Sequence, residues 1–452
     1  MYAGKSVLVA GAGVSGRSAA AALLAEGALV TVTDSAQERF AGLDAGIRTA
    51  VGLTAPPEGT DLVVTSPGWR PTSPLLVAAA EQGVEVIGEV EFAWRLAANR
   101  PDPPAWLAVT GTNGKTTTVT MLASILRAAG VHSVACGNVG LPVVAAVRSG
   151  YDVLAVELSS FQLHWSSSLR MDAAAVVNVS EDHLDWHGSL DEYAGAKGRI
   201  YAGDDVVAIY NADDELSTRL SDGKRRRVGF TLGEPENGQL GIRGDALVDR
   251  AFGDGETVLA DIADVHPAGP HNVANALAAA ALARARGVSA EAVRKGLREF
   301  TPGAHRSVLV TEHEGVRWID DSKATNPHAA AASLAAHERV VWVAGGLLKG
   351  AAVDELVAGA AGRLTGVVLL GADRAVIAAA LARHAPEVPV REVATGDDGA
   401  MNEVVRAAGA MARPGDVVLL APAAASMDMF GDYAHRGRAF AEAVRDLTNR
   451  AG

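Results

Sequence analysis

Short apolar runs alternate with Ala- and Leu-rich helical stretches along nearly the whole of this 452-residue chain. Runs such as Ser6–Ala10, Trp106–Thr110, Val340–Val343 and Val417–Leu420, and the run from 173 to 179, have the length of buried strands. This alternation is typical of parallel α/β sheets. Polar residues of interest follow several of these runs, and ligands bind at the carboxyl ends of strands in such sheets. The pattern therefore predicts an α/β fold that presents a site at the strand ends.

Two segments rich in proline and glycine divide the chain into three blocks. A helix could hardly continue through Arg100-Pro-Asp-Pro-Pro104, and Phe300-Thr-Pro-Gly303 interrupts the chain again. We predict domains over the ranges 1–100, 101–302 and 303–452. The segment from about 221 to 262 is more charged and richer in glycine, and we predict irregular or antiparallel β structure there.

The charge balance excludes several classes of partner. Lys and Arg number 40 against 53 Asp and Glu, a net charge of −13. General binding to nucleic acid or to an anionic membrane requires clustered positive charge.

The single cysteine, Cys136, excludes an intramolecular disulfide and a site with several thiolates. The longest charge-free stretch, Val265–Ala283, contains His, Pro and Asn. We therefore expect a cytoplasmic protein without nucleic-acid binding or membrane insertion. A monomer is also expected, although none of these features specifies the oligomeric state.

A glycine-rich string between a strand and a helix predicts a phosphate-binding turn. It reads Val109-Thr-Gly-Thr-Asn-Gly-Lys-Thr-Thr117, with Val109 in place of the first glycine of the general pattern. Backbone N–H groups and the helix N-terminus favour phosphate there. Lys115 is expected to neutralise phosphates, and the Thr116 hydroxyl to ligate Mg²⁺. The nucleotide-binding candidates are Gly111, Thr112, Asn113, Gly114, Lys115, Thr116 and Thr117. The alternative is a glycine turn followed by an ordinary lysine.

A second glycine turn follows the first strand. Gly11-Ala-Gly13-Val-Ser-Gly16 precedes a helix, and Asp34 ends the next strand. This spacing is typical of dinucleotide-binding turns, in which the acid contacts a ribose hydroxyl. It indicates a phosphorylated nucleotide without specifying which one. A tight turn required only for packing is the alternative.

Three further residues of the second block are candidates, and two of them, Glu157 and His183, follow apolar runs. Mg²⁺ prefers oxygen ligands and keeps several waters, so Glu157 together with phosphate oxygens could hold it. His183 lies in Ser-Glu-Asp-His-Leu-Asp-Trp-His187, where a hydrogen-bonded loop histidine is the usual interpretation. Lys197, in Ala-Lys-Gly-Arg-Ile-Tyr201, is by default a solvent-facing lysine on a helix.

The third block also has polar residues at its start and after its strands. Arg306 follows the second boundary, where an arginine could reach a transferring phosphoryl group or form an interdomain salt bridge. Three polar strings end strands, namely Asp320-Asp-Ser-Lys-Ala-Thr-Asn326, Gly345-Gly-Leu-Leu-Lys-Gly350 and Ala421-Pro-Ala-Ala-Ala-Ser426. The last two could also be ordinary turns between a strand and a helix.

Taken together, six strings resemble those of the Mur ligases of peptidoglycan synthesis, in the same order. They are Thr110-Gly-Thr-Asn-Gly-Lys-Thr-Thr, Glu157-Leu-Ser-Ser-Phe-Gln, Asn178-Val-Ser-Glu-Asp-His-Leu-Asp, Ala196-Lys-Gly-Arg-Ile, His271-Asn-Val-Ala-Asn-Ala and Asp321-Ser-Lys-Ala-Thr-Asn. The resemblance covers all three blocks. It implies a Rossmann-like N-terminal domain for a UDP-sugar, a central P-loop ATPase-like parallel-sheet domain, and a Rossmann-like C-terminal domain for an amino acid.

The resemblance is strongest to the family member that adds D-glutamate to UDP-N-acetylmuramoyl-L-alanine with ATP and Mg²⁺. The strings Gly345-Gly-Leu-Leu-Lys-Gly350 and Ser426-Met-Asp-Met-Phe430 favour that member. The implied reaction phosphorylates the terminal carboxylate of the UDP-sugar substrate. The D-glutamate amine then attacks the acyl phosphate through a tetrahedral intermediate, and phosphate leaves. Positioning and charge neutralisation are the expected contributions of the protein.

The resemblance also assigns roles to single positions. The implied catalytic residues are Lys115, His183, Lys197, Arg306 and Lys323. The implied magnesium ligands are Thr116, Glu157, His183 and Lys197, the last carbamylated and thereby an anionic oxygen donor. Besides the phosphate-binding turn, the implied ATP contacts are Asn272 near the adenine, Asp321 at the ribose and Arg306 at the γ-phosphate. The implied UDP-sugar contacts are Ser15, Asp34, Ser66 and Asn138, and those of D-glutamate are Thr325, Lys349, Ser426 and Tyr433.

Three other functions stay open on the sequence alone. One is an ATP-dependent ligase for another amino acid, as in the L-alanine-adding sibling or the folylpolyglutamate ligases. Another is an NAD-dependent oxidoreductase built on Gly11–Gly16 and Asp34, which leaves Gly-Lys-Thr-Thr unexplained. The third is a nucleotide-binding scaffold without catalysis.

Overall fold

Three β-sheets organise the computed structural model, which describes residues 1–394 and 399–450. The chain divides into two compact units. Unit 1 comprises Met1–Asp264 and Ala274–Phe300, and unit 2 comprises Val265–Val273 and Thr301–Gly452. The first two sheets lie in unit 1 and the third in unit 2. The predicted α/β fold class is confirmed.

The first sheet has five parallel strands in the order β3-β2-β1-β4-β5. They are β1 (Ser6–Ala10), β2 (Leu29–Asp34), β3 (Arg48–Val51), β4 (Leu62–Thr65) and β5 (Glu85–Gly88). Its helices are α1 (Val14–Ala25), α2 (Pro74–Glu81) and α3 (Glu89–Ala97), with a 3₁₀ turn at Gln37–Phe40. In the register, Val9 of β1 pairs with Val32 and Val64, and all three are buried. This order places β1 centrally, so that the turn after it opens at the carboxyl edge.

The second sheet has nine strands in the order β14-β13-β12-β11-β10-β9-β6-β8-β7. They are β6 (Ala105–Thr110), β7 (Ser133–Gly137), β8 (Val153–Glu157), β9 (Ala173–Val176), β10 (Val207–Asn211), β11 (Arg226–Phe230), β12 (Gln239–Arg243), β13 (Ala246–Asp249) and β14 (Thr257–Asp261). Strands β7 to β11 and β6 are parallel to their neighbours, whereas β12 to β14 form an antiparallel meander. Strands β8 and β9 are buried throughout, which is why they read as continuous apolar runs.

The helices of the central segment follow these strands. They are α4 (Lys115–Ala128), α5 (Val143–Arg148), α6 (Ser160–His164), α7 (Leu184–His187), α8 (Leu190–Gly198), α9 (Glu215–Leu220), α10 (Pro270–Ala285) and α11 (Ala290–Arg298). Short 3₁₀ turns lie at Arg199–Tyr201 and Ile262–Asp264. Helix α4 buries Val119, Leu122, Ile125 and Leu126. Their three- and four-residue spacing forms one apolar face, which anchors the turn that precedes the helix.

The third sheet has six strands in the order β15-β16-β20-β17-β18-β19, of which only the β15–β16 pair is antiparallel. They are β15 (Val308–His313), β16 (Val316–Asp320), β17 (Val340–Gly345), β18 (Leu364–Leu370), β19 (Val390–Glu392) and β20 (Val417–Leu420). Its helices are α12 (Pro327–Ala335), α13 (Asp354–Ala360), α14 (Arg374–His384), α15 (Ala400–Met411) and α16 (Tyr433–Arg450), with a 3₁₀ turn at Ala361–Arg363. Buried apolar side chains line both faces of the sheet.

Two local expectations differ from the structure. Strand β11 pairs in parallel with both β10 and β12, so the expectation of only irregular or antiparallel β structure over 221–262 is wrong for that strand. The apolar run from 173 to 179 forms a strand only as far as Val176, because Val177 and Asn178 bond to the phosphate-binding turn instead. The three domain ranges stay predictions, since a sheet marks the core of a domain and not its ends. Of the helices in the described residues, none combines the length and apolarity that a membrane span requires.

Candidate active site

The turn between β6 and α4 has the backbone that the phosphate-binding prediction requires. Gly111 has φ 156° and Gly114 has φ 80°, and both positions are also crowded. A Cβ on Gly111 would lie 2.5 Å from Val177 Cγ2, and one on Gly114 would lie 2.3 Å from Asn275 Oδ1. Only glycine fits there, since side chains are disfavoured at these φ values and no space remains. The two glycines therefore allow a turn backbone that other residues could not adopt.

Asn178 holds this turn from the adjacent strand end. Its Oδ1 accepts hydrogen bonds from the backbone N–H groups of Thr112 (3.1 Å) and Asn113 (2.9 Å). Its Nδ2 donates to Asn113 O at 3.1 Å, and its backbone carbonyl accepts from Thr112 N at 3.0 Å. The string Asn178-Val-Ser-Glu-Asp-His contained this residue, but its role was missed because the spacing from the turn is 66 residues.

Asn275 is a second functional candidate that sequence reasoning missed. Besides its contact with Gly114, its Oδ1 accepts a hydrogen bond from Thr118 Oγ1 at 3.2 Å. It therefore packs against the start of α4. The string His271-Asn-Val-Ala-Asn contains both Asn272 and Asn275, so the motif pointed to this helix but to only one of its two asparagines. Asn272 is buried in the part of α10 that belongs to unit 2.

Lys115 and Lys197 meet at a single carbonyl oxygen. The Nζ of each donates to Gly111 O at 2.8 Å, and Lys115 Nζ also donates to Thr112 O at 2.8 Å. Lys197 is only 1% exposed, and its Nζ lies 4.2 Å from the ring centre of Tyr193. Within the described residues it forms no ion pair. Burial, followed by repulsion from Lys115, places the pKa of Lys197 well below its ordinary value. The default interpretation of Lys197 as solvent-facing is wrong, because α8 packs this side chain under the turn.

Thr116, Glu157 and Asn138 come together beside the same turn. The Thr116 hydroxyl donates to Glu157 Oε2 at 2.7 Å, and Asn138 Nδ2 donates to Oε1 at 2.9 Å. Glu157 ends the buried strand β8 and is 2% exposed. A hydroxyl and a carboxylate in contact are hard oxygen donors, which suit Mg²⁺ with waters and phosphate oxygens. Among the described residues, no group of three or more His, Cys, Asp and Glu side chains could by itself hold a metal ion.

His183 is linked to the phosphate-binding turn through the aromatic ring of Tyr193. It has φ 55° just before the short helix α7, and Asp182 Oδ1 accepts its backbone N–H at 2.9 Å. Its ring packs edge-on against Phe161 at 4.9 Å and faces Tyr193 at 6.4 Å between ring centres. The Tyr193 hydroxyl lies 3.2 Å from Thr112 Oγ1. Tyr193 thus touches the turn, Lys197 and His183, although no motif had singled it out.

The first glycine turn is organised by Asp34. Its Oδ2 accepts the Ala12 N–H at 2.8 Å, and Arg39 Nη1 lies 3.3 Å from Oδ1. Burial alone raises the pKa of Asp34, but the hydrogen bonds from Ala12 and Ser35 and the charge of Arg39 lower it overall. Ser66 approaches the turn from the end of β4. A Cβ on Gly11 would lie 2.6 Å from Ser66 Oγ, and one on Gly16 would lie 3.1 Å from it. The turn therefore places Ser15, Asp34 and Ser66 around one helix N-terminus.

In unit 2, four predicted residues surround the end of β16. Ser307 N donates to Asp321 Oδ1 at 3.2 Å, which places the neighbouring Arg306 beside that carboxylate. Burial raises the pKa of Asp321 to about 6. Lys323 Nζ lies 4.0 Å from the ring centre of Tyr433, and Lys323 N donates to His305 O at 3.1 Å. Arg306, Asp321, Lys323 and Tyr433 are thus neighbours.

Two neighbouring loops of unit 2 carry Lys349 and Ser426. Leu347 and Ala425 exchange backbone hydrogen bonds of 2.8 and 2.9 Å, which ties the loop after β17 to the loop after β20. Lys349 has φ 54° and is exposed, whereas Ser426 is buried. Thr325 precedes Asn326, which caps helix α12 by accepting the Ala329 N–H at 2.8 Å. All three candidates therefore lie at the carboxyl edge of the third sheet.

A buried arginine that the motifs did not single out joins these loops. Arg436 of α16 is 1% exposed. Its Nε donates to Ser322 Oγ at 3.0 Å and its Nη2 to Ser322 O at 2.9 Å. Its Nη1 donates to Ala424 O at 3.1 Å and to Gly345 O at 3.4 Å. One guanidinium thus bonds to the loops after β16 and β20 and to the last residue of β17. Burial lowers the pKa of Arg436 to about 10, so it stays charged at neutral pH.

Three family descriptions match the chain in sequence order. A Mur ligase MurD-like N-terminal domain matches residues 5–88, a Mur ligase middle domain matches 109–283, and a Mur ligase glutamate ligase domain matches 305–424. The chain belongs to the Mur ligase family. The phosphate-binding turn lies inside the range of the middle domain, and the loops after β16 and β17 lie inside that of the glutamate ligase domain. Ser426 lies just beyond the end of the latter range.

Relatives match over nearly the full length. UDP-N-acetylmuramoylalanine--D-glutamate ligase of Streptomyces coelicolor is 57% identical over 99% of both chains. The enzyme of the same name from Thermobifida fusca is 58% identical over 98% of this chain and 99% of its own. That of Mycobacterium avium is 50% identical over 98% and 96%.

Solved structures show the same fold at lower identity. UDP-N-acetylmuramate-alanine ligase MurC from Thermotoga maritima has a TM-score of 0.59 at 22% identity and covers 98% of this chain and 99% of its own. MurF from Acinetobacter baumannii has a TM-score of 0.62 at 19% identity, over 98% and 91%. At these identities the likeness supports the fold of Mur ligases and not a particular substrate.

Proposed function

We propose that this chain is the Mur ligase that joins D-glutamate to UDP-N-acetylmuramoyl-L-alanine with hydrolysis of ATP to ADP and phosphate. The observation that carries the proposal is the 50 to 58% identity, over essentially whole chains, to ligases named for that reaction. The loops after β16 and β17, in the range matched by the glutamate ligase domain, give it a place for the amino acid. The three domain ranges 1–100, 101–302 and 303–452 are part of the proposal.

In the proposed reaction, the β6–α4 turn binds the phosphates of ATP. Its N–H groups and the N-terminus of α4 provide partial positive charge without any rearrangement. Lys115, which bonds to carbonyls of the turn, supplies a full charge beside them. Asn272 and Asp321 are proposed contacts of the adenine and ribose, and Arg306 of the γ-phosphate.

Thr116 and Glu157 fit a Mg²⁺ site because their oxygens are already in contact. His183 and Lys197 are the other proposed ligands. When bound, the cation neutralises phosphate charge and orients the phosphoryl group for transfer. Asn138 fixes the Glu157 carboxylate by donating to Oε1, and it is also the proposed contact of the muramoyl group.

Lys197 fits carbamylation better than it fits a permanent cation. Its burial and its shared acceptor with Lys115 favour the neutral amine, which is the form that attacks CO₂. The attack forms a C–N bond and releases one proton, so that the product is an anionic carbamate. The charge at this position is then reversed, and repulsion from Lys115 becomes attraction. This carbamate would supply oxygen ligands where the unmodified lysine supplies none.

The substrates are assigned to the two other loop groups. Ser15, Asp34 and Ser66 are the proposed contacts of the UDP part at the first glycine turn. Thr325, Lys349, Ser426 and Tyr433 are those of D-glutamate. Lys323 lies beside Tyr433, where its charge can stabilise the tetrahedral intermediate as the amine attacks the acyl phosphate. We also propose that the enzyme is a cytoplasmic monomer.

The proposal is tested by phosphate release from purified protein with MgATP and UDP-N-acetylmuramoyl-L-alanine. We expect release with D-glutamate and not with L-glutamate or L-alanine. Release that depends on a different amino acid would retain the ligase mechanism and reject this substrate. Absence of release with every amino acid tested would reject the ligase assignment.

Two variants define the contribution of the phosphate-binding turn. Lys115→Ala is expected to reduce turnover by more than about a hundredfold, because a charge at the transferring phosphate is lost. Lys295→Ala, which removes an exposed lysine from α11, is the matched control and is expected to retain full activity. Near-normal turnover by Lys115→Ala would reject the phosphate-binding role.

A further inference from the structure

Two buried carboxylates in the first turn of α3 have opposite surroundings. Glu91 accepts hydrogen bonds from Arg95 Nε at 2.9 Å and from the Ser167 and Ser168 N–H groups at 3.0 Å. Glu89, which is 1% exposed, accepts one hydrogen bond on Oε1, from Gln162 Nε2 at 3.0 Å. Its Oε2 has no hydrogen-bond partner within the described residues. The negative charge of Glu91 is thus stabilised by an arginine and by backbone N–H groups, whereas that of Glu89 has no such stabilisation.

Glu89 borders the first glycine turn. The Ser15 hydroxyl is close enough to the Glu89 carboxyl to lower its pKa, and Ser15 is the second residue of α1. Ser66 Oγ, which packs against Gly11 and Gly16, is also buried without a hydrogen-bond partner in the described part of the chain. Two unsatisfied polar groups therefore flank one helix N-terminus. Native proteins rarely leave such groups unpaired, which points to a ligand.

The groups packed around Glu89 do not stabilise its charge. Helices α1 and α6 present Ser15 and Gln162, neither of which titrates, and Cys136 on β7 is the nearby titratable group. On α3, Glu91 and Arg95 bond to each other, and Arg95 also pairs with Glu85. Helix α5, which packs on α3, buries Val143, Val144, Ala146 and Val147 and leaves Arg148 exposed. Burial accordingly raises the pKa of Glu89 to about 7.

The two protonation states of Glu89 affect Ser15 differently. A neutral Glu89 donates its proton toward Ser15 Oγ, which leaves the Ser15 O–H free to donate to a phosphate oxygen. An ionised Glu89 can only accept, so it competes for that O–H. It also adds a negative charge next to a bound anion in a site of low polarity. A diphosphate at this turn therefore favours the neutral acid.

We propose that Glu89 is a positioning residue that holds Ser15 for a nucleoside diphosphate at the first glycine turn, and that binding of this ligand is coupled to proton uptake by Glu89. The inference rests on the proposed function for the placement of the UDP group at this turn. It adds a residue that acts through Ser15 and a proton that accompanies the ligand.

Proton uptake is measurable on the wild-type protein by titration calorimetry with UDP-N-acetylmuramoyl-L-alanine. The experiment is run at pH 7 and pH 8 in two buffers that differ in ionisation enthalpy. The diphosphate diester and carboxylate of this ligand keep their charge over that range, so uptake reports on the protein. We expect about half a proton at pH 7 and nearly one at pH 8. Glu89→Gln, which is neutral and retains an N–H donor, is expected to bind without uptake.

Kinetics provide a second readout that a purely structural role would not change. The wild-type KM for the UDP-sugar substrate is expected to rise about tenfold between pH 7 and pH 8.5, and that of Glu89→Gln to stay constant. The KM for ATP is expected to show the same pH dependence in both proteins. Glu91→Gln is the matched control from the same helix turn, and it is expected to retain the wild-type proton uptake.

The outcomes separate this inference from the proposed function. Binding without proton uptake by the wild-type protein, or unchanged uptake by Glu89→Gln, would overturn the role of Glu89 and leave the ligase assignment intact. Failure of the wild-type protein to bind the UDP-sugar would overturn both. The proposal would be supported if the KM for the UDP-sugar lost its pH dependence in Glu89→Gln alone.

Discussion

Lys115 and Lys197 place two ammonium groups on one carbonyl oxygen of the phosphate-binding turn. Two unit charges about 5 Å apart repel by about 3 kcal/mol at an effective dielectric constant near 20. The repulsion decreases when Lys197 is neutral and becomes attraction when it is carbamylated. The geometry thus favours loss of the positive charge at Lys197, which is the more buried of the two.

We predict that Lys197→Ala loses most of its activity and that formate or acetate partly restores it. A small carboxylate can enter the space left by the side chain and supply the missing anionic oxygens. Phosphate release is measured at increasing carboxylate concentration, and a several-fold recovery is expected. Lys115→Ala should show no recovery, because it lacks a cation. Full activity of Lys197→Ala without added carboxylate would contradict the need for a carbamate.

At single positions, the sequence predicted the glycine turn between β6 and α4 because its residues are contiguous, and its binding of phosphate stays a prediction. Burial of Lys197 could not be predicted in this way, since the packing comes from Gly111, 86 residues away, and from Tyr193. Asn178 and Asn275 were missed for the same reason. Their contacts with the turn depend on which strand ends and helices the fold brings to it.

At the level of elements, Arg436 joins the loops at the third sheet. Its donors reach the carbonyl oxygens of Gly345 and Ala424 and both oxygens of Ser322, so it joins the loops after β16 and β20 to the end of β17. The fork of guanidinium N–H groups is required to reach acceptors in different directions, and lysine has a single ammonium instead. Helix α16 thereby sets the spacing between loops that carry Lys323, Lys349 and Ser426.

We predict that Arg436→Lys raises the KM for the amino acid by about tenfold while the KM for the UDP-sugar stays within about twofold. The change leaves buried carbonyls without donors, which costs about 1–3 kcal/mol for each such group. Steady-state kinetics with each substrate varied separately check this prediction. Arg438→Lys, at an exposed position of the same helix, is the matched control. Equal increases in both KM values would indicate general loss of structure instead.

At the level of elements, the strands β1, β6 and β20 are predicted closely because each is a short apolar run between turns. The parallel pairing of β11 could not be predicted from its sequence, which begins with Arg226 and Arg227. Its charged start lies at exposed positions, while Val228 and Phe230 are buried against the sheet. Pairing direction depends on where the preceding helix α9 returns the chain, and local residue patterns do not specify that.

For the whole molecule, stability depends on pH through groups whose pKa changes on folding. Burial raises the pKa of Glu89 from 4.5 to about 7. Burial alone also raises the pKa of Glu91, but hydrogen bonds from Ser168, the Ser167 N–H and Arg95 lower it overall from 4.5. Because the folded chain binds the Glu89 proton more tightly, stability falls as pH rises from about 4.5 to 7. Glu91 acts in the opposite sense, since its contribution is lost as pH falls through its folded pKa.

These opposite signs predict two distinct variants. Glu89→Gln should raise the melting temperature relative to the wild-type protein, by little at pH 5 and most at pH 8, where removal of the buried charge is worth up to about 3 kcal/mol. Glu91→Gln should lower it most at neutral pH and least at the acid end of the range, as pH falls through the lowered pKa of the wild-type carboxylate. Thermal unfolding of the three proteins across pH 3 to 8 measures both differences. If the melting temperature of each variant differs from that of the wild-type protein by the same amount at every pH, neither carboxyl has a shifted pKa in the folded chain. The same Glu89→Gln protein serves the calorimetric experiment, so its gain in stability at pH 8 and its loss of proton uptake must appear together if one proton accounts for both.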